Sequence, residues 1–224
     1  MGLPFEACTV VPRGVRIDPA AVAAATRGPF GVPADAPLFV NVARIVPEKA
    51  QHLLVEAFAR VREQVPDARL AIAGEVGPAL PAVQRAVERT GLGDSVTLLG
   101  FRSDVRALGA VADVFAYSSV SEGSPGAVAE AMVLGTPVAA FAIPPVAELT
   151  QGDQRAWLAT PGDASALADA MLAAWQAPDR KERSVATQRW AAATYSLDAV
   201  ADRLGDLLVA RVDAHSTGTP ARRS

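Results

Sequence analysis

The amino-acid sequence predicts an α/β fold, a doubly wound parallel sheet with additional helices at its C-terminal end. Three observations support this prediction. Short apolar runs alternate with longer amphipathic segments of helical period. The apolar runs are continuous rather than alternating, which is typical of parallel strands covered on both faces. Glycine, proline or aspartate stands between many of these segments, as expected where strands and helices end.

The predicted elements follow one another in a regular strand–helix order. The first strand is residues 38–43 (LFVNVA), and an amphipathic helix follows at residues 51–65 until Pro66 and Asp67 end it. Later strands are predicted at residues 69–73, 96–100, 114–118, 137–141 and 156–160, with helices at residues 80–90, 105–111 and 126–134 between them. Three more helices are predicted at residues 164–176, 179–194 and 197–211. This order is that of a Rossmann-like domain.

Three segments are expected along the chain. Residues 1–37 are predicted to be a linker that leads into the first strand, and residues 38–212 are predicted to form the Rossmann-like domain. The polar residues 213–224 are expected to be disordered.

The composition disfavours several classes of partner. The 224 residues carry a net charge of −3 and only 5% are aromatic, so neither an electrostatic surface nor a stacking platform for nucleic acid is expected. The single cysteine, Cys8, cannot form an intrachain disulfide and fits a reducing compartment. Because we find no signal peptide and no apolar window of ~20 residues, we expect a cytoplasmic protein.

The loop after the first predicted strand contains two cations. In open parallel sheets, ligands bind beyond the carboxyl ends of the strands. Arg44 and Lys49 stand in such a loop, where a guanidinium and an ammonium could together hold a diphosphate and stabilise it as it leaves. The alternative is that both are solvated surface cations beside Glu48, and the spacing alone leaves the two readings about even.

Two glutamates flank a run of small residues after the fourth predicted strand. Glu122 lies in the loop, and Glu130 lies on the second turn of the helix that follows. Small residues allow a ligand to approach the backbone, free N–H groups at a helix start favour phosphate, and carboxylates accept hydrogen bonds from hydroxyls. The alternative is a pair of surface charges around an ordinary helix-initiating turn. The small residues are Gly123, Ser124, Pro125 and Gly126.

Two other loops are weaker candidates. Gly74 follows the second strand and would permit close approach of the backbone to a ligand, although a plain turn is slightly favoured. Phe101 and Arg102 follow the third strand and could line a slot for a nucleobase, whereas Phe101 could equally pack in the core. The sequence has no Asp-x-Asp motif and no Cys/His cluster, so no metal site and no cofactor are predicted.

Five segments of the sequence resemble motifs of retaining family 4 glycosyltransferases, which have the GT-B fold. They are TVVPRGVRID, NVARIVPEKAQHLLVEAF, AIAGEVGP, VTLLGFRSDV and SSVSEGSPGAVAEAMVLGTPVAA, the last of which contains the E-x7-E signature. The segments follow in the family's order, and the resemblance covers residues 9–211. It identifies the chain as similar to the C-terminal, donor-binding half of such an enzyme.

The resemblance implies transfer of a hexose from a nucleoside-diphosphate sugar, with retention of configuration and without a metal. Arg44 and Lys49 would bind the diphosphate and stabilise it as the leaving group, and Glu122 would bind hydroxyls of the transferred sugar. Glu130 would hold the ribose. The other donor contacts would come from Gly74, Phe101, Arg102, Gly123, Ser124, Pro125 and Gly126.

The sequence departs from the family pattern in three ways. Ala50 replaces a glycine, and Pro144 and Pro145 replace a Gly-Gly pair in the loop after the fifth strand, while Glu148 keeps its place. The resemblance also implies an N-terminal half that binds the sugar, lipid or small-molecule acceptor, and we expect that half to be missing from this chain. We therefore expect an isolated half that is inactive in transfer, and peripheral membrane association of the full-length enzyme stays open. The alternatives are a non-catalytic nucleotide-binding or truncated remnant protein, or a related nucleotide-sugar epimerase.

Overall fold

A six-stranded parallel sheet forms the centre of the protein in the computed structural model, which describes residues 9–216. The strand order is β3-β2-β1-β4-β5-β6, so the direction of strand addition reverses between β1 and β4. The prediction of a doubly wound, Rossmann-like sheet is confirmed. The strands are β1 (Leu38–Val42), β2 (Arg69–Ala73), β3 (Val96–Gly100), β4 (Val114–Tyr117), β5 (Val138–Phe141) and β6 (Trp157–Ala159).

Helices cover both faces of the sheet. One face carries α2, α3 and α7, and the other carries α4, α5 and α8. The helices are α1 (Pro19–Ala23), α2 (Gln51–Gln64), α3 (Leu80–Thr90), α4 (Val105–Ala110), α5 (Gly126–Leu134), α6 (Pro144–Thr150), α7 (Ala164–Gln176), α8 (Arg180–Tyr195) and α9 (Leu197–Ser216). The predicted helices match these within one or two residues, except that α9 extends five residues beyond Arg211.

The two faces explain why the strands are mostly apolar rather than alternating between apolar and polar residues. Successive side chains of a strand point to opposite faces, and here each face has its own core. Phe39 of β1 packs with Phe58 of α2, their ring centroids 5.9 Å apart, in the core beneath α2 and α7. Its neighbours Leu38 and Val40 belong to the second core beneath α5. Both cores are needed to bury one strand.

The segment after β5 is a helix, where a loop was predicted. Pro144 and Pro145 occupy the first two positions of α6. Proline is well accepted there because its missing N–H would have had no partner within the helix, and its fixed φ suits the first turn. The expectation of a loop was therefore wrong, and α1 was also not predicted.

The segment before β1 is anchored to the C-terminal helices. Val15 N donates to Tyr195 O at 2.7 Å, and Leu197 N donates to Val15 O at 2.9 Å. Cys8 and most of the segment predicted to be a disordered tail lie outside the described residues. No helix among residues 9–216 is both long and apolar enough to cross a lipid bilayer.

Candidate functional site

The loops after β1 and β4 meet beyond the carboxyl ends of the strands, at the point where the strand order reverses. Two hydrogen bonds join them: Val120 N donates to Glu48 O at 2.9 Å, and Ser118 Oγ donates to Lys49 O at 2.7 Å. Because β1 and β4 are adjacent in the sheet, residues far apart in sequence face each other across this crevice. Open α/β sheets bind ligands at such a position.

Lys49 and Glu122 form an ion pair across the crevice. Lys49 Nζ donates to Glu122 Oε1, and Tyr117 Oη donates to the same oxygen. The Lys49 side chain is 17% exposed and that of Glu122 is 9% exposed, so the pair is largely withdrawn from water. Two of the candidate site residues are thus brought together. Tyr117 joins them, although sequence reasoning treated it only as part of a strand.

The surroundings of Glu122 favour its charged form. Burial alone would raise the pKa of its carboxyl group, but hydrogen bonds from Lys49 and Tyr117 outweigh burial and hold that pKa below its ordinary value. The buried Ser119 hydroxyl lies near enough to lower this pKa further, without forming a hydrogen bond of regular geometry. Glu122 is therefore a carboxylate at neutral pH. Its negative charge suits it to accept hydrogen bonds from hydroxyl groups.

Ala50 explains why a glycine suits the position after the lysine. The turn Pro47–Lys49 ends at Ala50, whose φ of 46° and ψ of 38° lie in the left-handed region. This conformation costs a residue with a Cβ about 1 kcal/mol and costs glycine almost nothing. The departure from the family pattern leaves the turn intact, so Lys49 is still directed to Glu122.

Glu130, on the second turn of α5, forms a second ion pair. Arg106 Nη2 of α4 donates to Glu130 Oε1 at 3.0 Å. The Nε atom of Arg106 is buried and has no hydrogen-bond partner among the described residues. Sequence reasoning missed Arg106, because the pair depends on the packing of α4 against α5 and not on spacing along the chain.

The small residues between the glutamates form the start of α5. Gly126 is its first residue and Pro125 its N-cap, with no side chain capping the helix. Gly123 and Ser124 are exposed and Pro125 is buried. Arg13, from the segment before β1, approaches this helix start, because a Cβ on Gly126 would lie 3.4 Å from Arg13 Nη1. The backbone here is open to a ligand, and both the helix end and Arg13 favour an anion.

Arg44 shares the β1 loop but joins neither ion pair. Its side chain is exposed, and it forms no hydrogen bond or ion pair with the described residues. Its carbonyl accepts a 2.9 Å hydrogen bond from Gln51 Nε2, which fixes the backbone of the loop. The structure places Arg44 at the carboxyl edge of the sheet, with its guanidinium still available.

The three weaker candidates lie in three different kinds of surroundings. A Cβ on Gly74 would collide with Ala43 O, so this glycine is needed for approach to the chain's own backbone. Phe101 is 79% exposed, which excludes the alternative that it packs in the core. Arg102 is engaged by Asp104 through two hydrogen bonds of 2.7 Å and lies over the Phe30 ring.

Metal-ligating residues do not cluster near these loops. Among the side chains that the structure describes, His, Cys, Asp and Glu nowhere gather in a group of three or more that could hold a metal ion.

Comparisons with known proteins agree with the fold and the motifs. Residues 23–189 match the family model of glycosyl transferases group 1. The proposed colanic acid biosynthesis glycosyltransferase WcaL of Escherichia coli K12 is 34% identical over 200 residues, which are 84% of this chain and 47% of WcaL. The 2-deoxystreptamine glucosyltransferase of Streptomyces kanamyceticus is 31% identical over 175 residues, 75% of this chain and 45% of that enzyme.

A solved structure shows the same fold. HepE of Anabaena, crystallised with UDP and glucose, matches with a TM-score of 0.77 at 24% identity, over 88% of this chain and 55% of HepE. The chain spans about half the length of each of these relatives.

Proposed function

The chain belongs to the glycosyl transferases group 1 family, and from this premise we propose that it is the domain that binds a nucleoside-diphosphate sugar as donor. The observation that carries the proposal is the Lys49–Glu122 ion pair at the strand-order reversal. It places a cation suited to phosphate beside a carboxylate suited to sugar hydroxyls in one crevice.

We assign the parts of the donor to the residues along this crevice. Lys49 and Arg44 bind the diphosphate and stabilise the negative charge that develops on it as it leaves, in place of a metal ion. Glu122 binds hydroxyls of the transferred hexose. Glu130, on the second turn of α5, holds the ribose in competition with Arg106.

The start of α5 supports the same arrangement. The backbone from Gly123 to Gly126 lies between the two glutamates, where a diphosphate would connect the sugar to the ribose. Exposed Phe101 is available to stack against the base. Arg102 acts only indirectly, because Asp104 and Phe30 already hold its guanidinium.

We propose that transfer retains the anomeric configuration and takes place in the cytoplasm, on an acceptor bound elsewhere. The chain covers about half the length of its relatives, which supports an acceptor site in a region outside this chain. The isolated chain is then expected to bind the donor but not to transfer the sugar. Robust transfer by the isolated chain would overturn this part of the proposal.

Calorimetry with UDP-, GDP- and ADP-glucose tests donor binding. Lys49→Ala removes a charge-assisted contact to phosphate, and Glu130→Ala removes a contact to ribose, so each variant is expected to weaken binding about tenfold. The controls are Lys181→Ala, at an exposed lysine of α8, and Glu63→Ala, at an exposed glutamate near the end of α2. If Lys49→Ala and Glu130→Ala bind like their controls, the site assignment fails.

A further inference from the structure

Two donors of different character share one oxygen of Glu122. Lys49 reaches Oε1 from a loop at the end of a flexible side chain, whereas Tyr117 reaches it from the last residue of β4. Tyr117 is only 2% exposed, and its ring stacks on Phe115 with centroids 6.1 Å apart. The tyrosine is thus fixed by the core, while the lysine is free to change partners.

The proposed function gives Lys49 two competing partners. Its ammonium pairs with Glu122, and a donor diphosphate would draw it away. Tyr117 is held more firmly, because its ring is buried and stacked on Phe115. Burial and the neighbouring carboxylate raise the pKa of the Tyr117 hydroxyl well above its ordinary value, so it stays protonated and remains a donor.

We propose that Tyr117 is a positioning residue, which holds Oε1 of Glu122 so that Oε2 faces a hydroxyl of the donor sugar after Lys49 has turned to the diphosphate. This inference rests on the proposed function. It assigns the orientation of Glu122 to the sheet rather than to the ligand. It also means that Glu122 recognises the sugar mainly through Oε2, because Tyr117 continues to occupy Oε1.

A hydroxyl that orients Glu122 contributes to binding of the sugar but not of the nucleotide. Tyr117→Phe keeps the stacked ring and removes only the hydrogen bond. We expect affinity for UDP-glucose to fall about fivefold while affinity for UDP changes less than about twofold. The matched control is Tyr195→Phe, the other tyrosine of the sequence, whose hydroxyl donates to Leu149 O at 3.3 Å. It should leave both affinities unchanged.

A titration without ligand tests the hydrogen bond itself. Tyr117→Phe removes one of the hydrogen bonds that counter the effect of burial on the pKa of the Glu122 carboxyl group, so that pKa should rise. Carbon-13 NMR of the glutamate carboxyl groups measures it. Tyr195→Phe should leave that pKa unchanged. An unchanged pKa in Tyr117→Phe would overturn the inference, because no hydrogen bond of consequence would then connect the two side chains.

The calorimetric outcomes separate this inference from the proposed function. Unchanged affinity for UDP-glucose in Tyr117→Phe, or an equal loss for UDP and UDP-glucose, removes the positioning role and leaves the proposed function standing. If the unsubstituted chain binds none of the tested nucleotides, the proposed function fails, and the role of Tyr117 in donor binding is rejected with it.

Discussion

Replacing Lys49 with methionine should destabilise the protein in a way that depends on pH. Methionine keeps most of the length of the side chain and removes the ammonium, so Glu122 is left with Tyr117 as its hydrogen-bond partner. Breaking a fully buried pair costs about 3–5 kcal/mol and breaking an exposed pair costs about 0–1 kcal/mol. Side-chain exposures of 17% and 9% lie between these cases. We therefore expect a loss of about 2 kcal/mol at pH 7.

The sign of the pH dependence follows from the pKa of Glu122. In the parent chain this pKa is lowered, so the carboxylate stabilises the fold above the unfolded pKa, and that contribution is lost as pH falls through the folded pKa. Without Lys49, only Tyr117 and Ser119 remain to lower this pKa, so the folded pKa rises relative to that of the parent chain. The penalty in Lys49→Met is then present above the raised pKa and disappears on acidification. The difference in unfolding free energy between variant and parent should fall at pH 4 to less than about half of its value at pH 7.

Urea denaturation at pH 7 and pH 4 measures this difference, with Glu122→Gln as the background that removes the carboxylate. In that background Lys49→Met should cost about 0.5 kcal/mol or less, which leaves a coupling energy of about 1.5 kcal/mol between the two side chains. Two results would refute the reasoning: an equal cost at both pH values, or an equal cost with and without the Glu122 carboxylate.

The backbone near the site and the proposed independence of metal give three further tests. Gly74→Ala should lower the free energy of unfolding by about 3 kcal/mol, because the added Cβ would collide with Ala43 O. The control Gly91→Ala has open space around its Cβ and a φ of 68°, so it should cost only about 1 kcal/mol. Similar losses for the two variants in urea denaturation would contradict this prediction. Ala50→Gly removes the cost of an alanine in the left-handed region, so the free energy of unfolding from thermal denaturation should rise by about 0.5 kcal/mol. A clear loss of stability would show that the alanine methyl group is needed. Adding EDTA should change the affinity for UDP-glucose, measured by calorimetry, by less than about twofold. Loss of binding in EDTA would show that the donor is bound through a metal ion.

The strands could be predicted closely, and the reason is physical. The central strands β1, β2, β4 and β5 are buried on both faces, so each is a short run of mostly apolar residues regardless of period, and glycine, proline or polar residues stand close to its ends. The bounds of β2 and β3 match the prediction at every residue. The helix α6 was missed because Pro144 and Pro145 were treated as loop residues, although proline is common in the first turn of a helix.

The site could be predicted only partly from the sequence. Loops after β1 and β4 could be expected to meet, because both follow strands of one parallel sheet. The partners Tyr117 and Arg106 depend on side-chain packing, which spacing along the chain does not encode. A tyrosine at the carboxyl end of an otherwise apolar strand, five residues before Glu122, was the one available signal. Arg102 was assigned to the base from its neighbours, yet Asp104, two residues away, engages it.

The ion pair at the crevice has a consequence for which ligands the domain prefers. Lys49 and Glu122 neutralise each other, so a ligand that engages only the lysine leaves the carboxylate in a poorly solvated place with fewer partners. UDP alone is such a ligand under the proposed function. UDP-glucose supplies phosphate oxygens to Lys49 and a hydroxyl to Glu122, so it satisfies both charges after separating them. The domain should therefore bind the sugar nucleotide more tightly than the free nucleotide, which also favours release of the nucleotide once the sugar has been transferred.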